Sequence, residues 1–484
     1  MAKKAATFES INPATGEVVG VFPICSKSDV DDAVARAHSA KQRWSDLGFR
    51  GRYLALRDWA SLLTREIDLA ANLIHRETGK PLSDATLEVA LAIEHISWAG
   101  KFAPRILSRQ NRPSGLLMFN LSAQVQRVPY GVVGVIGPWN YPIFTPIGSI
   151  AYALAAGNTV VFKPSEFTPA IGAWLGETWK RVAPFDGIFS TVTGTPETGV
   201  ALTSSNVDKI SFTGSTRTAK KVAAACADRM IPVVLECGGK DPVLIDRDAD
   251  IEKAAEMTLW HAMSNAGQSC IGAERVYVHE KVAERFTEEV LEIVRKLEPG
   301  KSYGPATMPK QLEVIKRHIE AAQNAGAKML YGDENSVNER IVNPVVMADV
   351  PEDCSAMTEE TFGPTLAINR VANMDEAIKL SNASEYGLGA AVFSKHNGYT
   401  IADKLDCGAI TINTTFTFMA VPSLPFGGVK DSGYGRIHGP EGLFEFTYAR
   451  SIVKTRFEIP IRPTSFKRTE FQERVITILS KYFS

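Results

Sequence analysis

The sequence predicts an α/β protein built on a doubly wound parallel sheet, and three observations carry that expectation. From Val128 onward, short apolar, β-branched runs alternate with stretches of helical length. Each run is followed by a segment rich in Gly, Pro, Ser, Thr or charge, as the ligand-binding strand exits of such a sheet are. The chain has 484 residues, 45% hydrophobic and 22% charged, which suits a folded protein of two or three domains.

Taken in order, the opening third reads as largely helical. Ser28, followed by Asp29 and Asp31 and by apolar Val30, Val34 and Trp44, predicts an N-cap and an amphipathic helix. Helical periodicity continues over Tyr53–His75 and Asp84–Ala103, with Gly79-Lys80-Pro81 as a break. Strands are then expected at Val132–Ile136, Thr159–Phe162, Ile188–Val192, Lys209–Phe212 and Pro232–Leu235. The intervening helices are Ile143–Ala156, Pro169–Val182, Pro196–Thr203 and Thr216–Arg229. A second α/β pattern follows, with helices at Asp250–Ser264, Val282–Leu297 and Met308–Ala325. Its strands fall at Arg275–Val278, Ile368–Arg370, Gly389–Phe393 and Gly408–Ile412. Asn413–Gly439 reads as long loops. Leu116–Arg127 and Ala449–Phe457 are strand-like but belong to neither pattern, and are expected to pair with each other or with another subunit.

A net charge of −1 offers no global field for nucleic acid. The six cysteines are dispersed with no C-x-x-C pair, so no metal site is indicated and a reducing cytoplasm is the expected compartment. The N-terminus lacks the apolar region of a secretory signal, and no apolar run of about 18 residues occurs.

Five segments could carry chemistry. In Asn265-Ala-Gly-Gln-Ser-Cys270 the cysteine follows small, polar residues, whereas a structural cysteine usually sits in an apolar stripe. A nucleophilic thiol needs an exposed, thiolate-favouring pocket. Glu236 in Glu236-Cys-Gly-Gly-Lys240 ends a buried strand. It is either ion-paired with Lys240 or a general base. Asn140, between Trp139 and Tyr141, either caps a turn or donates to an oxyanion. Thr213-Gly-Ser-Thr216 joins a strand to a helix and could hold phosphate at the helix N-terminus. Lys163-Pro-Ser-Glu166 is a solvated turn or a ribose contact. Gly131, Gly134 and Gly137 lack the dinucleotide-fingerprint spacing and read as close packing.

As an ordered set, G-P-W-N-Y-P, K-P-S-E, F-T-G-S-T, E-x-G-G-K, G-Q-S-C, E-E-T-F-G-P and P-F-G-G-x-K-x-S-G resemble the aldehyde dehydrogenase superfamily over nearly the whole chain. The resemblance implies a Rossmann-like cofactor domain (1–112 and 128–236), a catalytic α/β domain (237–446) and a small β oligomerisation arm (113–127 and 447–460). A tail (461–484) follows. It implies that Cys270 attacks an aldehyde, that Asn140 and the Cys270 N–H hold the oxyanion, and that Glu236 activates water to hydrolyse the thioester. It also implies cofactor contacts from Trp139, Lys163, Ser165, Glu166, Gly194, Thr213, Gly214, Ser215, Glu360 and Phe362, with no metal. Glu166 points to NAD, with NADP as the alternative. A homodimer or homotetramer is expected.

The departures bear on specificity. Cys237 and Ala219 replace commoner leucine and glycine. Cys237 could compete as a reactive thiol. Gly148 stands where many members place a bulky aromatic. With Tyr141, Phe144, Phe416 and Phe418, this suggests a roomy, apolar tunnel open to bulky aldehydes. No arginine in these loops would anchor a substrate carboxylate, which disfavours a semialdehyde. Glu236 disfavours CoA acylation. A non-catalytic binding protein on this fold is the remaining alternative. The tail, from Arg462, carries Phe471, Val475, Ile478, Leu479 and Phe483 at helical spacing. An amphipathic helix packing on protein is preferred there over peripheral membrane contact.

Overall fold

The computed structural model describes residues 6–459 and 465–481. The chain divides into two compact units. The larger holds residues up to Ile106 together with Pro129–Thr447, and the smaller holds Leu107–Val128 and the residues from Tyr448 on.

The larger unit contains two sheets. In the first, the six strands run Gly433–Tyr434, Val233–Glu236, Lys209–Thr213, Val132–Ile136, Thr159–Lys163 and Phe189–Thr191 across the sheet. All pairings are parallel except that of Gly433–Tyr434 with Val233–Glu236. The chain fills one side of Val132–Ile136 first and then the other. The order therefore reverses between that strand and Lys209–Thr213, and a crevice opens at their carboxyl ends. The five expected strands and four helices of this region are all present, with ends shifted by one or two residues.

The second sheet has seven strands, in the order Lys328–Tyr331, Val345–Ala348, Thr365–Val371, Ala273–His279, Asp241–Ile245, Gly389–Phe393 and Ala409–Ile412. Only the first pair is antiparallel. Helices Ile251–Met263 and Glu280–Val294 pack Leu259, Phe286 and Val290 on one face. Helices Pro309–Asn324 and Met374–Asn382 cover the other with Ile315, Ile319 and Ile378. The strands are buried on both faces and therefore lack alternation.

Several expectations need correction. The first helix, Lys27–Asp46, is capped by Ser26, not Ser28. The Ser26 hydroxyl accepts from the Asp29 N–H while the Asp29 carboxylate accepts from the Ser26 N–H. The helical opening is preceded by an antiparallel hairpin, Thr7–Ile11 with Val18–Pro23. The Tyr53–His75 stretch is two helices, Gly48–Arg65 and Ile67–Thr78, and the second ends on Gly79 at φ 72°. Within the expected Asn413–Gly439 loops, Gly433–Tyr434 is a strand on the edge of the first sheet.

Thr447–Thr455, Leu121–Pro129 and Gln110–Arg112 form a three-stranded sheet in that order, all of it but Thr447 and Pro129 in the smaller unit. The two orphan strands are thus neighbours, although Leu116–Met118 is a 3-10 turn and not strand. Thr447–Thr455 is an exposed edge. The tail contains a helix, Glu470–Lys481, with Phe471, Ile478 and Leu479 exposed. Arg462 and Phe483 lie outside the described residues, as does the start of the N-terminal segment.

Candidate active site

The segment Glu236-Cys-Gly-Gly-Lys240 crosses from the first sheet to the second: Glu236 ends one strand and Asp241 begins the next. Cys270 lies three residues before the Ala273–His279 strand. Glu236 and Cys270 line one cavity, with Tyr141, Phe144, Phe416, Phe426 and His438 among its walls. An outer chamber shares Tyr141, Phe144, Phe416 and Met419 with it and reaches Leu87, Leu91 and Trp260.

Cys270 is set by strained backbone. Asn265 and Ala266 hold φ near 51° and 57°, and Gly267 follows at 70°. A Cβ on Gly267 would lie 2.1 Å from the Gly363 carbonyl, so only glycine fits. Gln268 clamps the turn: its amide donates to the Asn265 carbonyl at 2.8 Å and accepts from the Thr307 N–H at 2.8 Å. Burial pushes the Cys270 thiol up, with the carboxylates of Glu360, Asp241 and Glu236 adding to the effect. That upward shift opposes the thiolate form that a nucleophile needs. Cys237, in the same cavity, is pushed up to about 12, mainly by burial and then by Glu236. Cys237 is buried whereas Cys270 is partly exposed, so Cys237 is the less accessible thiol.

Asn140 is held by a buried ion pair. Lys80 bonds Glu88 at 2.6 Å and donates to the Asn140 carbonyl at 2.8 Å. Glu88 in turn accepts from the N–H groups of Ile143 and Phe144, at the start of the Phe144–Ala156 helix. The Asn140 amide donates to the Gln268 carbonyl at 3.0 Å, two residues before Cys270. The loop amide is thus neither solvated nor capping a turn.

Glu236 is 2% exposed, and neither carboxylate oxygen has a hydrogen-bond partner. Burial holds its carboxyl well above the usual range, offset partly by Arg436. The ion pair with Lys240 does not form. Lys240 bonds Glu274 instead, and Glu274 accepts from the N–H groups of Thr361 and Phe362. The anchoring roles of Glu274, Lys80, Glu88 and Gln268 are not legible in the sequence, because each has at least one partner distant in the chain. Glu360 follows from this anchoring. Its carboxylate accepts from the Gly239 N–H at 3.1 Å, and a Cβ on Gly238 would sit 2.3 Å from it. Burial pushes Glu360 up to about 8.

The expected cofactor residues cluster at the first sheet's exits. Lys163 is buried and bonds Glu166 at 3.0 Å, with Ser165 between them. Thr213 ends its strand and also lines the cavity. The Gly214 N–H donates to the Glu236 carbonyl at 3.0 Å. Ser215 begins the Thr216–Ala227 helix without capping it, leaving that N-terminus available to an anion. Gly194 has φ 150°, where a Cβ would meet Thr198. Trp139 packs edge-on against Phe362 at 5.5 Å. A Gly-lined crevice, an uncapped helix N-terminus and a buried lysine paired with a partly exposed carboxylate fit a dinucleotide.

The aldehyde dehydrogenase family model matches residues 1–452. The chain belongs to the aldehyde dehydrogenase family. It is 34% identical to a 4,4'-diapolycopene aldehyde oxidase from Methylomonas sp, covering 95% of this chain and 88% of that protein. It is 33% identical to a peroxisomal aminoaldehyde dehydrogenase 2 from Pisum sativum, covering 93% of each. Among solved structures, an NAD-dependent aldehyde dehydrogenase from Sinorhizobium meliloti superposes with a TM-score of 0.90 at 32% identity, covering 96% of this chain and 93% of that one. An NADP-dependent glyceraldehyde-3-phosphate dehydrogenase from Bacillus halodurans C-125, complexed with NADP, gives 0.87 at 33% identity, covering 93% and 96%.

One expectation about this aldehyde dehydrogenase fails. The space left by Gly148 is not open tunnel. A Cβ there would lie 2.3 Å from His438 Nε2, so the imidazole occupies it.

Proposed function

We propose that the protein oxidises an aldehyde to a carboxylic acid with NAD(P)+, through a covalent intermediate on Cys270 that water releases. One observation carries this reading: an unpartnered carboxylate, Glu236, shares a cavity with the Cys270 sulfur. Cys270 adds to the carbonyl, and the oxyanion is held by the Asn140 amide and the Cys270 N–H. Bound NAD(P)+ supplies the hydride acceptor and a positive charge that favours the thiolate. Lys163, Ser165 and Glu166 hold the adenosine ribose. Gly194, Thr213, Gly214, Ser215 and Trp139 bound the crevice, and Glu360 and Phe362 the nicotinamide ribose. Glu236 takes a proton from water, which attacks the thioester. The Glu166 carboxylate beside Lys163 favours NAD, since it repels a 2′-phosphate.

The substrate is a hydrophobic aliphatic or aromatic aldehyde. Aromatic and aliphatic side chains dominate both chambers, and the one lysine at their walls, Lys80, is spent on Glu88. A semialdehyde would lack its cation. The exposed Thr447–Thr455 edge supports self-association. Assay of an aldehyde panel with NAD and with NADP tests the reading. NADH from apolar aldehydes is expected. NAD binding without turnover of any aldehyde would sink it.

A further inference from the structure

His438 is 1% exposed, lines the inner chamber beside Glu236 and Cys270, and has no hydrogen-bond partner at either ring nitrogen. Its backbone, at φ 60° and ψ 168°, lies in a region that glycine occupies almost alone. Two unfavourable features thus coincide at one residue: an unsatisfied buried polar ring and a strained main chain. Packing alone does not require the unsatisfied ring, since a leucine could fill the space over Gly148 without leaving unpaired nitrogens. The ring lies 4.0 Å from His95 by centroids and is flanked by Phe144, Tyr152 and Phe426. Burial and the neighbouring His95 keep it neutral, and with Nε2 packed over Gly148 the unpartnered Nδ1 is the nitrogen left for a ligand.

We propose that His438 is a specificity-determining residue, which hydrogen-bonds a neutral oxygen carried on the hydrocarbon body of the aldehyde. The substrate class is then an apolar aldehyde bearing a hydroxyl or carbonyl group away from the reacting carbon. This rests on the aldehyde-oxidising reading above.

The test compares 3- and 4-(hydroxymethyl)benzaldehyde with the matching methylbenzaldehydes, which differ by one oxygen. The wild-type enzyme should favour at least one hydroxymethyl isomer in kcat/KM by about tenfold. His438→Gly relieves the strained backbone, so it should fold, and it should abolish that preference. Thr145→Val, at another polar wall position, should keep it. Equal kcat/KM for all pairs in the wild type, or a preference that survives in His438→Gly, would overturn the proposal. Oxidation of the methylbenzaldehydes reports separately on the underlying reaction: if none of the four is oxidised, the reading of the function fails first.

Discussion

Glu236 illustrates how burial sets a residue's chemistry. Its carboxyl is held well above the ordinary range, yet a general base must be ionised. Activity should therefore be lost as pH falls through that raised pKa, so the acid limb of kcat should lie above the ordinary carboxylate range. Glu236→Gln should remove the limb and lower kcat by about 10²- to 10⁴-fold. Stability has the opposite sense. The folded pKa is raised, so the contribution of Glu236 is present below the unfolded value and lost as pH rises toward the folded one. Glu236→Gln should accordingly raise Tm relative to wild type at pH 8 but not at pH 4. At the crevice, removing the carboxylate beside Lys163 by Glu166→Ser should raise kcat/KM with NADP relative to NAD, by about tenfold. An unchanged ratio would show that Glu166 does not select the cofactor.

At the scale of elements, each loop of the site is pinned by a buried device outside it. The Lys80–Glu88 pair holds the Asn140 loop to the helix at Phe144. Lys80→Met leaves Glu88 buried without its cation, which should cost about 3–5 kcal/mol by denaturant unfolding. Gly267→Ala adds a Cβ 2.1 Å from a carbonyl at φ 70° and should cost about 1–3 kcal/mol. A loss of under a few tenths in either variant would contradict the packing described. Much of this architecture was legible in the sequence. Five of the first sheet's six strands are short, largely apolar runs with Gly or Pro near their ends, so their limits fall within two residues of the observed ones, whereas the two-residue Gly433–Tyr434 strand is too short to stand out. Asp241–Ile245 was missed because Asp-Pro at its start reads as a turn. The Thr7–Ile11 hairpin was missed because its half-exposed strands carry no apolar alternation strong enough to stand out. The site motifs could be found, but their orientation could not. Lys240 as the partner of Glu274, and His438 as the occupant of the Gly148 space, depend on segments distant in the chain.

At the scale of the whole molecule, the proposed chemistry lies where the carboxyl ends of the first sheet face the segment that enters the second. Glu236 arrives from one sheet, Cys270 from the approach to the other, and Asn140 from the switch point. The three-stranded sheet of the smaller unit ends on Thr447–Thr455, with Val453 60% exposed. Val453→Asp should lower the solution mass from a multiple of the chain toward a single chain. A wild type that is already monomeric would exclude the arm as an assembly surface. In the proposed cycle, Cys270 carries the acyl group until Glu236 releases it. The most direct test is intact mass spectrometry of Glu236→Gln after mixing with NAD and an apolar aldehyde. The account predicts about one equivalent of NADH and an acyl adduct that maps to Cys270 and is absent from Glu236→Gln/Cys270→Ala. Adduct on Cys237, or NADH released with no adduct and undiminished turnover, would contradict it.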